Sequence, residues 1–542
     1  MVERKDKMEQ QPTTSQRATK AAGMIAGMIL FSRLLGFVRE TISGRLFNRA
    51  ETDAFFAAFG IPDFMYYLLV GGALSAAFIP LFTEYLTRNE EEEGWRMAST
   101  FINFTVLLLL SLTVLGMIFS RQLAPLEAHG FEGEKLELLI ALTRVMFPAV
   151  FFTALAGLMG GVLNSYQHFF APALGPVVYN VGIIMGAYFL GPRYGIFGMA
   201  VGVVVGAAAN FLTQACYAAR LTRGYLPGYI NLKHPGIRRM FLLMIPALLG
   251  LSATQLNILV TNTMASVLKE GSITALRFAN RLILLPLGIF AMAISTAFFP
   301  TLSRLTAEGK WEEFRRTLAM GIRMILFVTI PSAVGFLLLR VEIVRLLFEG
   351  QKFTPAHTQA TAYALAFYCL GLFAHGAIQL LPRGFYSLKD TKTPVLITVV
   401  TVIISIALNY LFLRFTNLQH GGFALSFSIM GILNMALSLY FLRRKVGGID
   451  GRNMAKTFLQ ASLAAAVMGL ALAWCKPWLA ATMAGLRSLL VGRGVSLDLG
   501  DLGLVAVAMT VGVGVYFGMA YLLRMDEVKL LGQILRRRKS RA

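Results

Sequence analysis

Long apolar runs recur from near residue 21 to near residue 524, and nothing else in this chain constrains its fold as strongly. A helix that crosses a bilayer needs roughly 20 mainly apolar residues, since lipid offers the open backbone no hydrogen-bond partner. Candidate spans begin near residues 21, 54, 97, 137, 171, 195, 240, 273, 318, 358, 393, 421, 457 and 502. The pattern predicts an all-α integral membrane protein of about 14 transmembrane helices. Composition agrees: 56% of the 542 residues are hydrophobic and 14% are charged, too few charges to cover a soluble surface.

The formal charge of +22 raises the question of nucleic acid. The basic residues, however, lie mostly in short loops and tails between apolar runs, a placement that fits topology and anionic headgroups. No nucleic-acid partner is expected; anionic membrane lipids are. The tails and alternate loops assigned to the cytoplasm hold more than twice as many of the 50 Lys and Arg residues as the opposite side. Both ends are therefore predicted inside. Arg443-Arg444-Lys445 and the tail Arg536-Arg537-Arg538-Lys539 are the clearest anchors, and the acidic run Glu90–Glu93 reads as a solvated cytoplasmic loop. No cleavable signal peptide is expected, because arginines interrupt the first apolar stretch and no small-residue cleavage site follows it. Cys216, Cys369 and Cys475 all fall inside apolar runs, which argues against a disulfide framework and against metal-ligand spacing.

An internal repeat is visible. Ser75-Ala-Ala-Phe-Ile-Pro80 resembles Ser295-Thr-Ala-Phe-Phe-Pro300, and the pair Ser165 and Pro172 recurs at nearly the same offset as Ser387 and Pro394. The expected organisation is a basic tail over 1–20, six-helix lobes over 21–220 and 237–443, two added helices over 453–524, and a basic tail over 525–542. Both lobes start on the same side of the membrane, so they are parallel repeats around an expected central cavity.

No enzyme constellation appears: there is no nucleophile elbow, phosphate-cradling glycine loop or His/Glu metal spacing. The informative residues are charges inside spans. An arginine at a helix centre costs roughly 2.5–3.5 kcal/mol on insertion scales, so it normally faces a polar cavity or a partner. The first helix carries Arg33, Gly36, Arg39 and Glu40. Arg33, Gly36 and Glu40 share a face, while Arg39 stands about 120° from Arg33. For both arginines to reach one cavity the helix must bend or unwind, and Gly36 is the expected place. The eighth run holds Arg277 and Arg281 on one face beside Asn280; at the repeat offset they fall on Ala57 and Ile61, so these charges belong to one lobe only. Permanently charged, forked guanidinium groups suit a diphosphate. Glu40 is a candidate charge partner. Two readings stand for Asp53, a gate partner for an arginine and a helix cap. Pro62 and the pair Gly71-Gly72 are places where the second helix can bend; close helix packing is the competing reading for the glycines. Asn257 and Asn262 suit either cation binding or interhelical hydrogen bonds.

Several stretches are similar to the MurJ (MviN) lipid II flippase family. They are Ser32-Arg33-Leu-Leu-Gly36-Phe-Val-Arg39-Glu40, Thr52-Asp53-Ala-Phe-Phe and Gly72-Ala-Leu-Ser-Ala-Ala-Phe-Ile-Pro80. Ala279-Asn280-Arg281-Leu, Phe348-Glu-Gly-Gln-Lys-Phe-Thr354 and Gly384-Phe-Tyr-Ser-Leu-Lys-Asp-Thr-Lys-Thr-Pro394 follow in the same order as in the family. The resemblance runs from about residue 21 to 524. It implies a bacterial inner-membrane protein of the multidrug/oligosaccharidyl-lipid/polysaccharide exporter superfamily. Such a protein moves undecaprenyl-diphosphate-linked peptidoglycan precursor outward by alternating access. The resemblance places Arg33, Arg39 and Arg281 among the cavity arginines and Asp53 at an acidic position implicated in function. The two added helices would form a groove for the lipid tail with the C-terminal lobe. The chain departs from the family at Tyr66, where some members carry a basic residue, and at Gly71, where some carry glutamate.

The expected function is that of a flippase for lipid II, with no covalent chemistry and no cofactor. An ion gradient, sodium included, or the membrane potential is the expected driving force; ligands for a sodium site are not assigned. Cell-wall synthesis proteins are further expected partners. The alternatives are export of another lipid-linked oligosaccharide or of small molecules and drugs, and a non-transporting scaffold in which the buried arginines are dispensable.

Overall fold

Every regular element among the described residues is helical, as a backbone that must satisfy itself in lipid requires. The computed structural model describes residues 14–66, 77–350, 352–491 and 499–528. The pair Gly71-Gly72, the Ser75 end of the first repeat echo, Gln351 and the Arg536-Arg537-Arg538-Lys539 anchor lie outside the described residues. Ten helices among the described residues are long and apolar enough to cross a membrane, from Glu91–Ile118 to Asp501–Leu522. The pair Pro355–Cys369 and Leu372–Ser387, bent by 61°, makes an eleventh if it is one broken span. The runs expected from near 21 and 240 fold as the helices Thr14–Leu46 and Pro235–Ala265.

The helices gather into two compact units. One joins the segment ending at Phe47 to Ala54–Leu259; the other joins Asn48–Asp53 to the chain from Val260 onward. A short piece of the first half thus packs with the second, which matters for Asp53.

In the first unit, the spans Phe170–Tyr194 and Ile196–Ala218 meet through glycine. A Cβ at Gly182 would stand 2.4 Å from the Gly206 Cα, and one at Gly186 would stand 2.5 Å from the Gly202 Cα. Such backbone-to-backbone approach replaces the hydrophobic drive that helices lack in lipid. A polar row on helix Glu91–Ile118 straps down the segment that follows the sixth expected span. Ser99 Oγ accepts from the Leu226 N–H, Thr100 Oγ1 from the Asn231 N–H, and Asn103 Nδ2 donates to the Leu226 and Tyr229 carbonyls. The acidic run Glu90–Glu93 is exposed as expected of a solvated segment, but it opens this helix rather than forming a loop. Glu93 binds both Arg96 and His234, at 2.9 and 3.2 Å.

The second expected span is broken. Helix Arg49–Ala57 ends, two turn residues follow, and helix Gly60–Tyr66 begins with Pro62 in its first turn. A proline ring clashes with the carbonyl four residues earlier, here Ala58, which is where the break falls. The break frees the Ile61 N–H, and the fully buried Glu127 accepts it at 2.9 Å while also accepting from the Thr143 hydroxyl. Helix Thr14–Leu46, by contrast, runs unbroken through Gly36, so the unwinding considered there does not occur. Gly36 is buried.

In the second unit, Phe278 stacks on Phe348 at 4.4 Å and lies parallel to Phe353 at 6.0 Å. The two helices after residue 450 belong to this unit. Tyr516 donates to the Phe327 carbonyl at 2.7 Å, and Arg323 bonds both Thr457 and the buried Glu527.

Candidate functional site

Each unit presents its own arrangement of charge. In the first, Arg39 keeps 14% of its side chain exposed and ion-pairs with the buried Glu40 at 2.8 Å. Its other terminal nitrogen donates to Asn180 Oδ1 at 3.2 Å. Asn180 in turn donates to the Ser32 and Pro176 carbonyls, which fixes its amide and links helix Thr14–Leu46 to helix Phe170–Met185. Glu40 shares its helix face with Arg33 and forms an ion pair with its neighbour Arg39. Arg33 is half-buried on the same helix.

In the second unit, Arg277, Asn280 and Arg281 are half-buried, and the other residues from Ser272 to Ile283 are buried. Their spacing places them on one accessible face, as expected from the sequence. Pro286 ends this helix in a π-turn, Leu287–Ala291, before helix Met292–Ala307 continues the span.

Asp53 holds the start of that arginine-bearing helix. Its carboxylate accepts from the Gly271 N–H at 2.7 Å, the Thr274 N–H at 2.9 Å and the Thr274 hydroxyl at 2.6 Å. The first N–H groups of a helix have no partner within it, and the positive end of the helix dipole favours a carboxylate. The cap position itself is Gly271, at φ +87°, which has no side chain to offer. Asp53 supplies the missing cap from more than two hundred residues away, and the Thr52 hydroxyl adds a 3.0 Å bond to that of Thr274. This geometry fits the cap reading of Asp53.

One turn before Asp53 stands Arg49, counted in the sequence among loop charges. It is only 4% exposed, and its guanidinium carbon lies 4.1 Å from the centre of the Phe353 ring and 5.8 Å from that of Phe278. Its aliphatic stem packs against Gly271, where an added Cβ would meet Arg49 Cγ at 3.3 Å. The signal in the sequence was the spacing of four between Arg49 and Asp53; a charge outside the apolar run gave no sign of burial. Glu127 was missed for the same reason.

The connection after the broken span carries a further charge cluster. Asp390 pairs with Lys445 at 2.5 Å and caps helix Lys392–Phe415 through the Lys392 and Thr393 N–H groups. Burial pushes the Asp390 carboxyl up, but Lys445 and the Thr393 donors together outweigh it and hold the pKa at about 2.

An all-helical protein of apolar spans in two units, with guanidinium groups on the accessible face of a membrane helix, has the build of a polytopic membrane transporter. An inward-facing multidrug resistance MATE family transporter of the MOP superfamily shares this fold with a TM-score of 0.65, at 16% identity over 77% of this chain and 94% of that one. A structure of the lipid II flippase MurJ in an inward closed conformation matches with a TM-score of 0.77, at 27% identity over 93% of this chain and 99% of that one. The sequence model of the family described as lipid II flippase MurJ matches residues 42–490. A probable lipid II flippase MurJ of Vibrio cholerae is 33% identical over 85% of this chain and 90% of its own length. The lipid II flippase MurJ of Burkholderia cenocepacia is 30% identical over 92% and 96%. The chain belongs to the MurJ lipid II flippase family.

Proposed function

We propose that this protein moves lipid II, the polyprenyl-diphosphate-linked peptidoglycan precursor, from the inner to the outer leaflet of a bacterial cytoplasmic membrane. The observation that carries the reading is the family match over residues 42–490. The protein acts as a transporter and forms no covalent intermediate. Its termini lie in the cytoplasm, a reading supported by the excess of basic residues on that side. Export of small molecules or drugs is not favoured, because the charged groups singled out for binding are mainly basic.

Arg33 and Arg39 in one unit, and Arg277 and Arg281 in the other, are the groups that engage the diphosphate or headgroup. Forked guanidinium donors match phosphate oxygens and stay charged throughout. Asp53 acts as a gate element: its cap on helix Ser272–Pro286 stabilises the state in which it forms, and releasing it permits the alternative state. Outward passage of a negatively charged diphosphate is driven by an inside-negative potential, worth roughly 2.3 kcal/mol per charge per 100 mV. A sodium gradient is the competing source. Anionic lipids bind the Arg443-Arg444-Lys445 cluster, and cell-wall synthesis proteins receive the exported precursor.

The test is depletion of the protein in its own cells, followed by measurement of precursor accessible on the outer leaflet. Loss of exposure with inner-leaflet accumulation, restored by wild type but not by Arg281→Ala, is the expected result. Unchanged exposure in cells shown to lack a second flippase would overturn the reading.

A further inference from the structure

Arg383 was not among the arginines singled out in the sequence, yet it lies inside the bent span Pro355–Ser387, four residues before its end. That places it about 6 Å of helix from the Asp390 connection. It is half-buried, and its Nη1 donates to Thr296 Oγ1 at 2.9 Å. Thr296 is exposed, and its hydroxyl proton goes to the Met292 carbonyl, so the oxygen turned to Arg383 is an acceptor.

Two features make this arginine unlike Arg39. Arg39 has Glu40, whereas the contact found for Arg383 is a neutral hydroxyl; no carboxylate pairs with it among the described residues. A permanently charged group within an apolar span favours an anion or water beside it. Its position is also fixed. Ser295, next to Thr296, donates to the Gln379 carbonyl, so two adjacent hydrogen bonds pin helix Met292–Ala307 to the broken span. A side chain that merely trailed toward the interface would need no such support.

The location relates Arg383 to the arginines already described in the same unit. At 100° per residue, Thr296 returns to within about 60° of Arg281 around the span Ser272–Ala307, and the wider π-turn between them takes up part of that angle. Arg281 and Thr296 are separated by about 22 Å of helix. Ala293, Thr296, Ala297 and Pro300 are all exposed, a face of small residues that leaves room beside the Arg383 guanidinium. At the repeat offset that aligns Ser387 with Ser165, Arg383 falls on Gly161, so this charge too belongs to one half only.

We infer that Arg383, set by Thr296, is a second phosphate-binding station on this face, at the inner-leaflet end, which takes the diphosphate of the lipid substrate before Arg277 and Arg281 do. The inference rests on the flippase reading proposed above. A phospholipid headgroup offers the same phosphate chemistry, and the test separates the two sources.

The full-length protein is placed in phosphatidylcholine nanodiscs, and binding of undecaprenyl diphosphate is compared with binding of phosphatidylglycerol. The variants are Arg383→Ala, Arg383→Lys, Thr296→Val and Thr296→Ser, with Arg281→Ala as reference and thermal unfolding as the check on folding. Arg383→Ala is expected to weaken undecaprenyl diphosphate about tenfold, the loss of a charge-assisted phosphate contact. Arg383→Lys should fall between it and wild type, because a point charge replaces the fork. Thr296→Val should weaken binding by about threefold and Thr296→Ser should restore it, with phosphatidylglycerol unchanged throughout. If Arg383→Ala alters phosphatidylglycerol binding alone, the arginine is an interface anchor and the inference is wrong. If Arg281→Ala weakens the diphosphate lipid and Arg383→Ala does not, the inference fails while the flippase reading stands. If wild type does not bind the diphosphate lipid at all, the flippase reading itself falls.

Discussion

The two units hold their membrane arginines by different means. In the first, Arg39 is neutralised locally: Glu40 follows it in the chain, and Asn180 reaches over from one packed helix. In the second, Arg277 and Arg281 ride on a helix whose first turn is secured by Asp53, a residue remote in sequence. The first arrangement ties a charge to its own helix and travels with it. The second makes the setting of a whole arginine-bearing helix depend on one carboxylate that is remote in the chain. A local pair needs only its own helix; a borrowed cap needs the packing that brings Asp53 to it.

The largest effect that would test this contrast is at the cap. Asp53→Ala leaves two buried N–H groups and the Thr274 hydroxyl without their acceptor. It should lower stability by about 3 kcal/mol and abolish transport; Asp53→Asn, which keeps an acceptor oxygen, should retain part of both. Thermal unfolding and complementation of a depleted strain read the two quantities, and a fully active Asp53→Ala protein would break the comparison. Next in size is Arg281→Ala. Loss of a phosphate contact should cut transport about a hundredfold, while stability changes by about 0.5 kcal/mol or less, because the side chain stands on an accessible face. A large loss of stability instead would make Arg281 a structural group.

Glu40→Gln leaves the Arg39 charge without its counter-ion and should cost about 2 kcal/mol. Combining it with Arg39→Met should recover most of the stability without recovering transport, which separates the pair's structural part from substrate binding. The smallest effect concerns pH. Asp390 titrates at about 2 in the folded protein, below its ordinary value of 3.8, so its contribution is present above 3.8 and is lost as pH falls toward 2. Acid unfolding of wild type and Asp390→Asn should differ by about 1 kcal/mol above that window and converge within it, the exposed Lys445 limiting the size. Equal stability at neutral pH would remove the pair from the account.

Hydropathy and helical spacing made much of this legible. The runs near residues 97, 137 and 318 fold as single helices, and the four-residue spacing of Arg277 and Arg281 becomes one accessible face. The spacing of Arg33 and Glu40 did not announce the ion pair that Glu40 forms with Arg39: a long guanidinium stem covers the angle that separates adjacent residues. Pro62 marked the second span as breakable, yet the need for Glu127 at that break followed only from the freed Ile61 N–H. Arg49 looked like a loop charge and is buried beneath Phe353.

The sequence by itself determined which segments enter the bilayer and that they are helices. Transfer into lipid is a sum over some 20 consecutive residues, and the backbone has few other ways to satisfy itself there. Only the tertiary structure decided which charge meets which partner. Glycine at 271 leaves a helix end uncapped, and nothing near it in the chain announces that the carboxylate of Asp53 will fill the place. An isolated hydrogen bond or ion pair is a contact of a few ångströms between groups that the fold alone brings together, so its partner is written in the packing and not in the local composition.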